Sequence, residues 1–260
     1  MDNTNLYQHF RLQERPFIDM INALIGQVEA EYRPLLTHFL DPRQLYIAQT
    51  LVQRNGEVKM QVFGGYPHAQ RQRLLLYPAY YQPQEADFEL AILEIKYPLK
   101  FATLQHSQIM GTLLNCGLQR EVFGDIITDQ TRWQFLVQAN VVDYLLSEIQ
   151  RIGKVKVSLV KVNQVIDEVK EDWIVEQVTV SSLRADALVA EMYHISRKHA
   201  KELFNANKIQ LNWMILERAD FELAVYDMLS VRGYGRLRLD ALSGTSKKGK
   251  LKVTISILRK

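Results

Sequence analysis

Ile195-Ser196-Arg197-Lys198-His199-Ala200-Lys201-Glu202-Leu203-Phe204, followed by Lys208-Ile209-Gln210-Leu211-Asn212, decides how this 260-residue chain is read. The Ser196 hydroxyl can accept from the unpaired amides of a first helical turn, which makes it a helix N-cap. At about 100° per residue, Ala200, Leu203 and Phe204 fall on one arc of the helix that follows, and Arg197, Lys198 and Lys201 on another. One arc packs and the other presents cations. The next segment alternates, with Ile209 and Leu211 on one side and Lys208, Gln210 and Asn212 on the other, as a half-buried strand does. Helix and strand each keep a polar side for a partner.

Working outward, the order Arg184-x-Asp186-x-x-Val189, Ser196-Arg197-x-x-Ala200, Lys208-Ile209-Gln210-Leu211-Asn212 resembles the S4 RNA-binding domain. That module recurs in pseudouridine synthases, tyrosyl-tRNA synthetases and heat-shock ribosome-binding proteins. Two departures stand out. The family's Gly before the strand is replaced by Asn205-Ala206-Asn207, and Asn tolerates the left-handed turn. The later Gly-Asp element is here Val231-Arg232-Gly233-Tyr234-Gly235-Arg236. With the long chain in front, this variant is similar to the YlmH family of bacterial S4-domain proteins. The resemblance implies work around large ribosomal subunits that hold obstructed peptidyl-tRNA, in translation quality control or rescue.

Composition agrees with a reducing, cytoplasmic setting. The lone cysteine, Cys116, excludes an internal disulfide and reads as a packed thiol within Leu113-Leu114-Asn115-Cys116. No signal peptide or membrane-length apolar run is evident. The net charge of +3 conceals an asymmetry. Residues 180–260 hold 15 Lys and Arg against 8 Asp and Glu, a net +7, whereas residues 1–179 hold 17 against 21, a net −4. The basic end coincides with the S4-like motif, which points to a polyanionic partner.

In chain order, Phe17, Met20, Ile21, Leu24, Ile25 and Val28 predict a helix opened by Pro16. A helical or mixed segment follows Asp41-Pro42, and Asn55-Gly56 turns into a strand at Val58–Phe63. Gly64-Gly65-Tyr66-Pro67 lacks the ending of a P-loop and reads as a structural turn, with RNA contact by Arg71 and Arg73 as the lesser reading. Then come a strand over Phe88–Tyr97, a helix over His106–Leu118, strands at Asp125–Asp129 and Trp133–Gln138, a helix over Val141–Ile152 closed by Gly153, and a strand over Lys156–Val162. The order β-α-β-β-α-β is ferredoxin-like or RRM-like. The resemblance implies RNA association for this part, while its composition suits a scaffold or protein-contact domain; both readings stand. An acidic connector, Asp167–Trp173, leads into a strand over Val175–Val180. Beyond the S4-like helices, Ser243–Lys250 reads as a hairpin loop and Lys252–Ile257 as its returning strand.

The expected fold is therefore α+β in three parts. These are an N-terminal mixed α/β domain (1–80), a ferredoxin-like βαββαβ middle domain (81–170) and a C-terminal S4 (αL-type) RNA-binding domain (178–260). Candidate RNA-binding residues are Arg184, Ser196, Arg197, Lys198, His199, Lys201, Lys208, Asn212, Arg232, Tyr234, Arg236, Arg238, Lys247 and Lys248. Arg184 reads first as a partner of Asp186 or another acid that holds the first helix, with RNA contact as its second role. Guanidinium suits bidentate phosphate contact and lysines act as point charges. In Arg232–Arg236 the glycines allow close backbone approach and the tyrosine can stack on a base; the alternative is a tight turn between strands. Lys247 and Lys248 sit on a loop tip suited to non-sequence-specific phosphate contact. Leu237-Arg238-Leu239-Asp240 resembles the catalytic motif of pseudouridine synthases, but too little chain follows it, and the match reads as accidental.

No Cys/His cluster has metal-ligand spacing, no nucleophile elbow or dinucleotide fingerprint appears, and no cofactor is expected. His9, His38, His68, His106 and His194 are scattered. The expected function is noncatalytic binding of structured RNA, ribosomal RNA or tRNA, on the large ribosomal subunit, by a monomer. The alternatives are an RNA-modifying enzyme targeted by its S4 domain and a cell-division-linked protein adaptor.

Overall fold

Helix α1 (Arg15–Glu31) carries Pro16 in its first turn, where the missing amide costs nothing, and ends at Tyr32 in the left-handed conformation (φ 49°). The computed structural model describes residues 10–166, 173–246 and 248–259. Residues 167–172 of the acidic connector, His9 and Lys247 lie outside them. The buried stripe of α1 is Ile18, Ile21, Ile25 and Val28. Met20, expected among the packed residues, is 42% exposed, and Ile18 takes its place. Strand β1 (Leu35–Leu40) follows, unread in the sequence because Leu35-Leu36-Thr37-His38-Phe39-Leu40 does not alternate cleanly.

Helix α2 (Pro42–Asn55) opens with a reciprocal cap. The Gln44 amide donates to Asp41 Oδ1 at 2.8 Å and the Asp41 amide to Gln44 Oε1 at 2.9 Å. Gly56, left-handed at φ 80°, ends it. Strands β2 (Val58–Phe63) and β3 (Gln72–Pro78) complete an antiparallel sheet of order β1-β3-β2 under α1 and α2.

Next come β4 (Leu90–Lys96), α3 (His106–Asn115), β5 (Phe123–Thr128), β6 (Trp133–Gln138), α4 (Val142–Glu148), the hairpin β7 (Arg151–Ile152) and β8 (Val155–Lys156), and β9 (Ser158–Val162). The sheet order β5-β6-β4-β9 is antiparallel throughout, the arrangement a βαββαβ chain forms when its first and third strands lie centrally. The helix expected over Val141–Ile152 stops at Glu148. Ile149 is extended, and Gly153 (φ 58°) turns the β7–β8 hairpin instead of closing a helix.

Both faces of that sheet are covered. Leu93, Ile95, Phe135 and Val137 pack with Ile109, Leu113 and Leu145 of the helices. On the other face, Leu136, Ile127, Leu90 and Ile92 pack with Phe39, Tyr66 and Ile166. Here the lesser reading of Arg71 and Arg73 is overturned, since the two are only 4% and 6% exposed. Arg71 donates to the Phe123 carbonyl at 3.2 Å and the Phe39 carbonyl at 3.0 Å, and Arg73 to the Thr37 and Phe88 carbonyls, each at 2.8 Å. They tie the two sheets together. Asp125 helps from the other side, accepting from Tyr66 Oη at 2.9 Å and from the Gln70 amide at 2.6 Å.

Residues 1–169 and 170–260 form two separate units. The second contains β10 (Ile174–Val180), α5 (Ala185–Met192), α6 (Arg197–Asn205), β11 (Ile209–Leu211), β12 (Met214–Ile215), β13 (Met228–Val231), β14 (Gly235–Thr245) and β15 (Leu251–Arg259). Its sheet has the order β10-β15-β14-β13-β11-β12, with α5 and α6 packed on one face over Leu237, Leu239, Ile255 and Ile257. The hairpin loop expected from Ser243 begins later, because β14 continues to Thr245.

Candidate nucleic-acid interface

The site is built on α6. Ser196 Oγ accepts from the His199 amide at 3.1 Å, so the expected cap is present. Ala200, Leu203 and Phe204 are buried in the core, and Arg197, Lys198, His199 and Lys201 are exposed. The exposed arc is fixed at both edges. On one, Arg197 Nη2 lies 3.0 Å from each oxygen of Asp186 on α5, whose side chain is wholly buried. On the other, His199 Nε2 lies 3.0 Å from Tyr234 Oη, and the Tyr234 ring packs on Tyr193 with centroids 5.4 Å apart.

Asp186 serves two arginines. Arg184 meets it through Nε at 3.1 Å, the pairing expected from the sequence, and Arg197 completes the bridge. Burial pushes the Asp186 carboxyl up, but the hydrogen bonds from Arg184 and Arg197 outweigh it and hold the group below the usual carboxylate range. The carboxylate thus aligns two guanidiniums while leaving them 36% and 52% exposed. Lys198 and Lys201 lie between the fixed edges, and among the described residues neither has an ion pair. Lys208 and Arg232 join the same region, since the Arg232 amide donates to the Lys208 carbonyl at 2.9 Å and the Lys208 amide to that of Leu203 at 3.0 Å.

Other candidates lie elsewhere. Asn212 is beyond β11 rather than on its polar side. At φ 46°, and followed by Trp213 at φ 68°, it turns the chain, donates to Asp227 Oδ1 at 3.0 Å and accepts from the Met228 amide at 2.9 Å. Its amide is committed to the fold. On β14, Leu237 and Leu239 face the helices, so Arg236 and Arg238 point to the opposite face of the sheet. There Arg236 stacks over Trp173 at 5.4 Å, and Arg238 pairs with Asp240 at 2.6 Å. Asp240 also accepts from Ser256, so the look-alike catalytic aspartate is a strand residue in a local network.

The glycines of Arg232–Arg236 serve the turn. A Cβ on Gly235 (φ 130°) would sit 1.9 Å from the Leu258 carbonyl oxygen, so the close backbone approach here is to β15. Asn207 adopts the left-handed conformation expected of it, at φ 52°. Lys248 is on the exposed β14–β15 loop, and Lys247 lies outside the described residues. The reading from sequence omitted Trp173 and the Asp186–Arg197 bridge. Cys116 is half-buried, donates to the Thr112 carbonyl, and has its thiol pushed up by burial.

Comparison with known proteins agrees with the resemblance to the YlmH family, through matches to the first two thirds of the chain. A family model described as "YlmH, N-terminal" matches residues 13–81, and one described as "Putative RNA-binding domain in YlmH" matches residues 83–165. The chain is 38% identical over 258 residues to the Ribosome-associated protein quality control protein P2 of Bacillus subtilis, covering 96% of this chain and 98% of that one. Among solved structures, the cell division protein ylmH from Streptococcus pneumoniae is 36% identical, with a TM-score of 0.53, over 60% of this chain and 95% of that one.

Proposed function

This chain belongs to the YlmH family, and from that premise we propose that it binds structured RNA on the ribosome without catalysing a reaction on it. Residues 178–260 act as an S4 domain, behind an N-terminal domain (1–80) and a ferredoxin-like domain (81–170). The observation that carries this reading is the exposed arc of α6, fixed by Asp186 and Tyr234 and presenting Arg197, Lys198 and Lys201. Such an arc meets phosphates in a defined geometry, while Lys208 and Arg232 extend the cationic surface. The name of the Bacillus subtilis relative supports a role in ribosome-associated quality control, which we place in the cytoplasm on large subunits obstructed by peptidyl-tRNA.

Co-sedimentation with separated ribosomal subunits tests it. The protein pellets with the large subunit, and the nucleoside composition of the RNA is unchanged after incubation. Failure to pellet with either subunit contradicts the proposal, and altered nucleosides select an RNA-modifying enzyme instead. The name of the Streptococcus pneumoniae relative favours a second reading, a cell-division-linked adaptor. Loss of phenotype rescue by changes in residues 1–165, with RNA binding intact, selects that one.

A further inference from the structure

In the βαββαβ domain the charged side chains separate by end. The sheet pairs Leu90 with Gln138 at one end, and Ile95 with Trp133 and Lys96 with Ser158 at the other. Around the first end lie Glu85, Asp87, Glu89, Glu121 and Asp143, against Arg120, whose guanidinium is held by the Phe123 carbonyl at 2.6 Å. Around the second lie Lys96, Lys100, Arg132, Arg151, Lys154 and Lys156, all exposed, against Asp129 and Glu148. This concentration occurs within a segment, residues 1–179, whose net charge is −4.

The same end carries the most exposed large apolar side chain among the described residues, Phe101, at 89%. It sits on the loop from β4 to α3, beside Lys100 and a 49% exposed Leu99. The loop has a fixed base. The Phe101 amide donates to the Pro98 carbonyl at 3.0 Å, and Tyr97 Oη donates to the Thr131 carbonyl of the β5–β6 turn at 2.9 Å. The β7–β8 hairpin lies alongside, with Gly153 against Gln108 of α3. Lys100, Lys154 and Lys156 have no ion pair among the described residues. The face on which an RRM stacks bases is occupied here by Phe39, Tyr66 and Ile166.

We infer that the Lys96 end of this domain, and not its sheet, is a second RNA site, in which Phe101 stacks on an unpaired base and Lys100, Lys154 and Lys156 hold the adjoining phosphates. A solvent-facing aromatic ring among cations is what single-stranded nucleic acid requires, because every base offers a face to stack and every linkage a charge. The inference rests on the RNA-binding reading above and adds a contact of different chemistry to it.

The test is fluorescence anisotropy of the full chain with a fluorescein-labelled, mixed-sequence single-stranded RNA of 12 nucleotides, in the Lys198→Ala/Lys201→Ala background, which weakens the α6 arc. Phe101→Ala weakens binding by at least about fivefold and Phe101→Tyr restores it, as removal and recovery of one stacked base require. Lys100→Ala/Lys154→Ala/Lys156→Ala flattens the dependence of log affinity on log salt by roughly 0.7 for each phosphate that is no longer neutralised. Unchanged affinity in both variants overturns the site; if Phe101→Ala then sheds a ribosomal protein from co-sedimented particles, this end is a protein contact. Loss of ribosome binding by Lys198→Ala/Lys201→Ala alongside such a null result leaves the proposed function standing and this inference refuted.

Discussion

Asp186 and Arg197, eleven positions apart in sequence, meet at 3.0 Å and join the start of α5 to the start of α6. The carboxylate is inaccessible and the guanidinium is half exposed, so the pair is a structural anchor with one face turned outward. Replacing Asp186 by Ala strands no buried charge, because both arginines can turn to water. The expected loss is about 1–3 kcal/mol, at the low end of breaking a buried pair. It is read as a lower urea midpoint, and an unchanged midpoint contradicts the anchor.

The same carboxylate sets a pH dependence. Its folded-state pKa is held below the unfolded value, so its stabilisation is fully present above about pH 4 and is lost as pH falls through the folded value. Asp186→Asn therefore destabilises at neutral pH and flattens the acid limb of the stability curve. An acid limb identical to that of the parent chain shows that Asp186 does not contribute to it.

Gly233 and Gly235 separate conformation from crowding. Gly233→Ala has open space but a φ of 92°, so it costs about 1 kcal/mol of backbone strain. Gly235→Ala adds a Cβ against the Leu258 carbonyl and costs on the order of 4 kcal/mol. Denaturant midpoints rank them. Equal, small effects would return Gly235 to the reading in which it leaves room for a ligand.

Arg71 and Arg73 provide a control on charge as evidence. Arg73→Met leaves the Thr37 and Phe88 carbonyls without their donor and destabilises residues 1–169 by about 2–4 kcal/mol, while RNA affinity stays that of the parent at temperatures where the variant is folded. Calorimetry and RNA anisotropy on one sample measure both.

What was legible in the sequence was local. Ser196 announces its cap, and Ala200, Leu203 and Phe204 announce their face, because both depend on neighbours within two turns. Ile149 and Ile152 continue the helical spacing of Val142 and Leu145, so the pattern could not show that the backbone leaves the helix at Glu148 and turns at Gly153. Arg71 and Arg73 look like surface charges because carbonyl acceptors such as those of Thr37 and Phe88 leave no mark in sequence. Arg236 and Arg238 read as RNA-binding residues beside Arg232 and Tyr234, but strand alternation turns them to the face of the sheet away from α6.

The most direct measurement of the central claim is co-sedimentation of the full chain with large ribosomal subunits across a salt series, beside Lys198→Ala/Lys201→Ala. Both lysines lie on the exposed arc of α6 and make no internal ion pair among the described residues, so the variant keeps the parent's stability. The account predicts weaker binding and a log–log salt slope shallower by roughly 0.7 to 0.9 for each phosphate that the variant leaves unneutralised. Equal affinity and equal slope for parent and variant would contradict it and move the ribosome contact off α6.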